Sequence, residues 1–275
     1  MTVGSTSAWD SALRIFCEKK DYIIVDKYSF SSALETAWAL GMRTLPVAMD
    51  EQGLLPDDLD KLLFNWNIEE RNARKPSLLY MVPTGQNPTG ATQSRERREK
   101  IYAVAQKHNL YIVEDEPYYY LQLPQFSSGR PLSNNSKESE LIPSYLSLDV
   151  DGRVLRLDSL SKVLAPGARV GWVTASEQVI EKFIRLNESS CQHPSGFSQV
   201  IIYKLLNHHW GHTGFYKWLE NIQSEYAWRR DTFVQACEKH LPKDIVSWMP
   251  SHAGMFVSTS VFLLSITADF AKAMD

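Results

Sequence analysis

The feature that most constrains this chain is an alternation of short apolar runs with longer helical patterns. The runs are YIIVD (22–26), RTLPVAM (43–49), SLLYMV (77–82), LYIVED (110–115), RVLRLD (153–158) and ARVGWVT (168–174). They are rich in branched and aromatic side chains, which suit strands. Residues 31–41, 56–66 and 94–108 carry helical spacing between them. The runs are apolar at successive positions, as in strands covered on both faces. The pattern predicts an α/β fold in three layers, helices on either side of a mostly parallel sheet. Ligands of such sheets bind beyond the carboxyl ends of the strands. After Ser176 the pattern is helical only, with one long helix expected over 215–240. The polar stretch SSGRPLSNNSKESE (127–140) is expected to be a solvated insertion.

A length of 275 residues is enough for a sizeable core. The formal charge of −3 argues against a general nucleic-acid or membrane-surface binder. No run of about 18 apolar residues occurs, so no membrane span is expected. The start shows no basic stretch leading into an apolar run, as a secretory leader would. Cys17, Cys191 and Cys237 are scattered, with no CxxC pair. They read as reduced thiols of a cytoplasmic protein. His208 and His212, in HHWGH, could share a helix face, but no carboxylate or cysteine completes a metal site nearby, and none is expected.

Four motifs fall where strands or helices begin and end. GSTSAWDSALRIF, from Gly4, opens an amphipathic helix with small hydroxyl residues. Ser5 and Thr6 read either as a helix cap or as a phosphate seat at the positive end of the helix. PTGQNPTG (83–90) reads as a turn, or as a turn that offers Asn87 to a cleft. VEDEPYYYL (113–121) puts Asp115 at the end of an apolar strand. A carboxylate there either caps the strand end or meets a cation, since burial without a partner is costly. In LDSLSKVLAPGARVGW (157–172), Lys162 stands beside Ser159 and Ser161, with Arg169 seven positions on. A surface lysine needs no such company, whereas one bonded to a phosphorylated cofactor does.

One ligand, pyridoxal 5′-phosphate, satisfies all four. Lys162 would form the Schiff base, and Asp115 would pair with the ring N–H⁺ and preserve the electron sink. Asn87 and Tyr118 would hold the ring hydroxyl. Ser5, Thr6, Ser159, Ser161 and Arg169 would hold the phosphate, Arg169 through its planar fork. Phe30 could stack on one ring face and Pro117 cover the other.

The order GST, NPTG, DEPY, SLSK and Arg169 resembles the class I/II aminotransferases of the fold-type I pyridoxal-phosphate family. PTGQNPTG, EDEPYYYLQ, SLDVDGRVLRLDSLSKVLAPGARVGW and HPSGFSQ (193–199) most resemble the fungal-type aromatic amino acid and kynurenine/2-aminoadipate aminotransferases. The resemblance runs from Gly4 to Phe256. It implies the fold-type I large domain over 1–241 and the start of a smaller domain over 242–275. It implies transfer of an amino group from an aromatic amino acid, kynurenine or 2-aminoadipate to 2-oxoglutarate, in a homodimer with small-molecule substrates.

Other expectations are a lyase or synthase on the same scaffold, a cofactor-binding regulatory domain, or a weakly active fragment. Phe30 stands where the family commonly has tyrosine. No counterpart is expected here for the family's N-terminal arm or for its arginine that binds the substrate carboxylate. The resemblance is expected to stop at Val257. The tail is expected to be translated intron or a mis-assigned gene end, which would leave little transaminase activity. AGMF (253–256) is expected to begin a strand.

Overall fold

The computed structural model describes residues 1–124, 126 and 141–261. Its strands are β1 (Tyr22–Asp26), β2 (Arg43–Val47), β3 (Met49–Asp50), β4 (Gly53–Leu54), β5 (Leu78–Met81), β6 (Tyr111–Asp115), β7 (Val154–Ser159), β8 (Gly171–Thr174), β9 (Val246–Trp248) and β10 (Thr259–Val261). The helices are α1 (Ser5–Phe16), α2 (Ser31–Ala39), α3 (Pro56–Phe64), α4 (Ile68–Arg71), α5 (Arg95–His108), α6 (Tyr145–Leu148), α7 (Glu177–Glu188), α8 (Gly196–Tyr203) and α9 (Gly211–His240). A π-helical stretch, Lys204–Trp210, joins α8 to α9.

Six strands form the main sheet in the order β2-β1-β5-β6-β7-β8. All neighbours are parallel except β7 and β8. Every residue of β5 and β7 is buried, because both faces are covered. One core cluster packs Ala8, Trp9, Ala12 and Leu13 of α1 against Tyr80, Val113 and Leu157. The other packs Leu59 and Leu63 of α3 and Ile101 of α5 against Leu79 and Ile112. Alternate residues of one strand thus serve different layers. The three-layer, mostly parallel architecture expected from the sequence is present.

Local chemistry explains the element ends. Ser94 caps α5 by accepting from the Arg97 N–H at 3.2 Å, and Asn109 closes it in the left-handed region. The α1 stripe is amphipathic, and the Trp9 indole donates to Ala33 O of α2 at 3.0 Å.

Two topological facts place the site. The order changes direction between β1 and β5, a switch point that opens a crevice at the carboxyl ends of the strands. Also, β8 returns antiparallel to β7, so the turn between them stays at that same end. Thr2 extends this edge by pairing with Gly171, with N–H···O distances of 2.8 and 3.0 Å.

The region after Ser176 is not helical throughout: β9 and β10 form an antiparallel pair. AGMF does not form a strand; Ala253 makes a single bridge to Gln122, and Gly254 turns with φ 73°. The long helix starts at Gly211 rather than Phe215. The expected insertion at 127–140 lies outside the described residues. Among the described residues, no helix is long and apolar enough to cross a membrane.

Candidate active site

The cap of α1 is Gly4, not a hydroxyl residue, and no side chain caps the helix. Its first N–H groups therefore face outward without a side-chain acceptor, at the positive end of the helix dipole. Gly4 has φ 91° and ψ 173°, a conformation that suits glycine alone. A Cβ there would lie 2.5 Å from Arg169 Nη2.

Arg169 comes from the turn between β7 and β8. Its Nη2 donates to Val3 O at 3.0 Å, and its Nη1 to Ser161 Oγ at 3.1 Å and Pro166 O at 3.1 Å. Ser159, the last residue of β7, donates to Ser161 Oγ at 2.9 Å and accepts from the Ser161 N–H at 3.1 Å. Two segments far apart in sequence thus meet as bare helix N–H groups, two hydroxyls and a guanidinium. That combination suits a phosphate. Lys162 is exposed beside it, and its turn is tied to α9 by the Trp218 indole, which donates to Val163 O at 2.6 Å.

Asp115, the last residue of β6, is buried. Its Oδ2 accepts from the Tyr80 hydroxyl at 2.8 Å, while Oδ1 is buried with no hydrogen-bond partner. Burial pushes this carboxyl up to about 7, against opposing effects of Tyr80 and the nearby Ser5 hydroxyl; Glu116 and Asp158 push it further. An unpartnered buried carboxylate oxygen is a place for a cation or a strong donor. The charged ring N–H of pyridoxal phosphate has that chemistry, so the residues present fit the group.

The remaining predicted residues stand at the ends of neighbouring strands. Asn87 follows β5, in a loop at the sheet's carboxyl end, half-buried. Phe30 caps α2 and packs on the core cluster that includes Tyr80 and Tyr118. Pro117 and Tyr118 follow Asp115. Tyr118 is buried, with Phe256 edge-on at 5.8 Å between ring centroids. Burial, then the Asp115 charge, push its hydroxyl pKa up. The contacts join Ser159, Ser161, Arg169 and the Gly4 turn directly. Phe30, Asn87, Pro117 and Tyr118 flank that group without bonding to it.

Residue types alone did not single out Gly4 or Tyr80. A glycine before a run of hydroxyl residues was the available signal for the first. Tyr80 sits in an apolar strand, and only its pairing beside β6 gives its hydroxyl a purpose. A cleft of about 500 Å³ lies between residues 88–92, 49–51 and 247–252. Of the predicted residues, none lines it, and the exposure of Thr6, Lys162 and Arg169 makes the candidate site an open face instead.

The pattern of aminotransferases of class I and II matches residues 1–265. The chain belongs to the class I and II aminotransferase family. The match runs past Val257, where the sequence resemblance was expected to stop, and β10 forms within that stretch. An aromatic amino acid aminotransferase of Schizosaccharomyces pombe is 48% identical over 263 residues, covering 94% of this chain and 55% of the relative. An L-tyrosine:2-oxoglutarate aminotransferase of Tapinella panuoides is 41% identical over 269 residues, covering 96% and 51%. The crystal structure of aminotransferase Aro8 from Candida albicans superposes with a TM-score of 0.89 at 42% identity, covering all of this chain and 57% of that one. The chain thus spans about half the length of the curated relatives it matches. These likenesses place it among fold-type I aminotransferases.

Proposed function

We propose that this chain binds pyridoxal 5′-phosphate on Lys162 and serves transfer of an amino group from an aromatic amino acid to 2-oxoglutarate. Kynurenine and 2-aminoadipate are further donors of the same reading. The observation that carries it is the buried, unpartnered Oδ1 of Asp115, at the same carboxyl end of the sheet as Lys162 and a phosphate-shaped group of donors. The similar aromatic amino acid and L-tyrosine:2-oxoglutarate aminotransferases support the substrate class.

Bound there, pyridoxal phosphate supplies an electron sink for charge developing at a substrate α-carbon. The chain's residues do the rest. Asp115 keeps a proton on the ring nitrogen by pairing with it, and Tyr80 orients the carboxylate. Arg169, Ser159, Ser161, Ser5, Thr6 and the first N–H groups of α1 hold the phosphate. Asn87 and Tyr118 hold the ring hydroxyl, and Phe30 and Pro117 cover the ring faces. Lys162 Nζ takes a proton from the substrate α-carbon as base and returns one as acid.

The proposal includes a cytoplasmic homodimer. Phe197, Val200, Ile201 and Tyr203 on α8 are all exposed, with Phe197 at 85%. Apolar side chains clustered this way suit contact with a second copy. The test is the absorption spectrum of the purified chain with cofactor, before and after an aromatic amino acid. Borohydride added before any amino acid should fix the cofactor to Lys162, as peptide mapping would show. A label on another lysine overturns the assignment. Loss of the lysine-bound absorption without formation of pyridoxamine phosphate would favour a lyase or synthase.

A further inference from the structure

Glu114, Asp115 and Glu116 follow one another at the end of β6, and only Asp115 faces the layer of α1. Glu116 lies in the opposite layer, buried with Arg98 of α5 and with Thr84. Arg98 Nη1 donates to Glu116 Oε1 at 3.3 Å, and its Nη2 to Thr84 Oγ1 at 2.8 Å and to Pro83 O at 3.3 Å. Its Nε donates to Gln93 O at 3.3 Å. The Thr84 hydroxyl in turn donates to Glu116 Oε1 at 3.0 Å.

Pro83 and Gln93 are the two ends of one loop, closed by the Gln93 N–H donating to Pro83 O at 2.9 Å. Within it, the Gln86 N–H donates to Ala91 O at 2.8 Å and the Gly90 N–H to Gln86 O at 2.6 Å. Asn87 stands at the tip. Arg98 therefore grips both ends of the loop that carries Asn87. Through Glu116 it also grips the immediate neighbour of Asp115.

Stability alone does not call for such an arrangement. A buried ion pair recovers little beyond its desolvation cost, and well-packed apolar residues could hold the two layers equally well. Apolar residues could not fix two carbonyls and a hydroxyl in set directions. A guanidinium fork can, and an ammonium cannot.

We propose that Arg98 and Glu116, with Thr84, are positioning residues that set where Asn87 stands relative to Asp115. This rests on the reading that Asn87 and Asp115 hold the two sides of one cofactor ring. The clamp touches neither substrate nor cofactor and acts through the loop and the strand end.

The test compares Arg98→Lys and Thr84→Val with Leu63→Ala, a cavity in α3 remote from the site. Three quantities are measured: urea unfolding, amide exchange at Gln86 and Gly90 in the cofactor-free chain, and affinity for pyridoxal phosphate by absorbance. Arg98→Lys keeps the charge opposite Glu116. It should still speed exchange at Gln86 and Gly90 and weaken cofactor binding by about tenfold, close to the net worth of one hydrogen bond. Thr84→Val should move both in the same direction by less. Leu63→Ala should lower stability and leave both unchanged. A folded Arg98→Lys with both quantities at wild-type values overturns the proposal. If Arg98→Lys does not fold, Thr84→Val decides by the same two measurements. If the wild-type chain takes up no cofactor on Lys162, the functional reading falls, and loop exchange alone decides whether the clamp exists.

Discussion

Replacing Gly4 by alanine probes the phosphate seat with one methyl group. Two costs follow from the geometry. The backbone at φ 91°, ψ 173° lies where side chains are strained by about 1–3 kcal/mol. The new Cβ would also stand 2.5 Å from Arg169 Nη2. The guanidinium ends a flexible side chain and can swing aside, but then it leaves Val3 O and Ser161 Oγ. Because Arg169 is exposed, that loss is worth no more than about 1 kcal/mol. Stiffening of the unfolded chain returns about 0.4–1 kcal/mol. At the middle of these ranges the net destabilisation is about 2 kcal/mol. With a urea slope near 3 kcal/mol/M for a chain of this size, the midpoint should fall by about 0.3–1 M. Affinity for pyridoxal phosphate should fall, while affinity for pyridoxal, which has no phosphate, should not. Arg169→Ala separates the two costs. In that background the clash is gone and only the backbone strain remains, so Gly4→Ala should cost less. Equal costs in both backgrounds would refute the clash. A cost below about 0.5 kcal/mol in the wild-type background would refute the strain.

Three further outcomes are expected. Asp115→Asn should impair amino transfer more than Arg169→Ala does, because it removes the ring's counter-charge, whereas losing Arg169 mainly weakens binding by about 1.5–3 kcal/mol; full recovery of Asp115→Asn in excess cofactor would contradict this. Burial pushes Asp26 and Asp115 up to about 7 and Glu114 up to about 8. Unfolded carboxyls release their protons near 4, so the stability these groups contribute is full below about 4 and lost as pH rises through about 7–8. The urea midpoint of the cofactor-free chain should therefore fall across that window, and Asp26→Asn should flatten the fall. Finally, Phe197→Glu with Ile201→Glu should shift sedimentation from dimer to monomer, and an unchanged dimer would place the interface elsewhere.

The fold was legible because buried parallel strands leave continuous apolar runs, and β1 was bounded to the residue by Tyr22 and Asp26. β9 and β10 were not legible, since three-residue strands such as VSW carry no periodicity. AGMF misled for a related reason. Phe256 packs edge-on against Tyr118, but Gly254 turns at φ 73° and only the bridge from Ala253 to Gln122 forms there. The site residues were legible as types in a given order, because strand ends bring such residues to one edge. Their supports were not. Arg98 reads in RERREK as one charge among many on a solvated helix, yet it is completely buried. Which of several arginines turns inward depends on the helix phase and on the carbonyls waiting opposite, and neither is written in local sequence.

The three acids at the end of β6 respond differently to a change of identity and a change of count. Glu114 accepts from the N–H groups of Tyr145 and Leu146 at 2.8 Å each, Asp115 faces Tyr80, and Glu116 faces Arg98. A point substitution would disturb one of these partnerships. Loss of a single codon within 111–113 would disturb all three, because each side chain beyond it would swing to the other layer. Glu116 would then stand where Asp115 faces Tyr80, Asp115 would meet the N–H groups of Tyr145 and Leu146, and Pro117 would come opposite Arg98. The gene would still encode the same acidic triplet, and a comparison of composition would find it intact, while every carboxylate in it met the wrong neighbour.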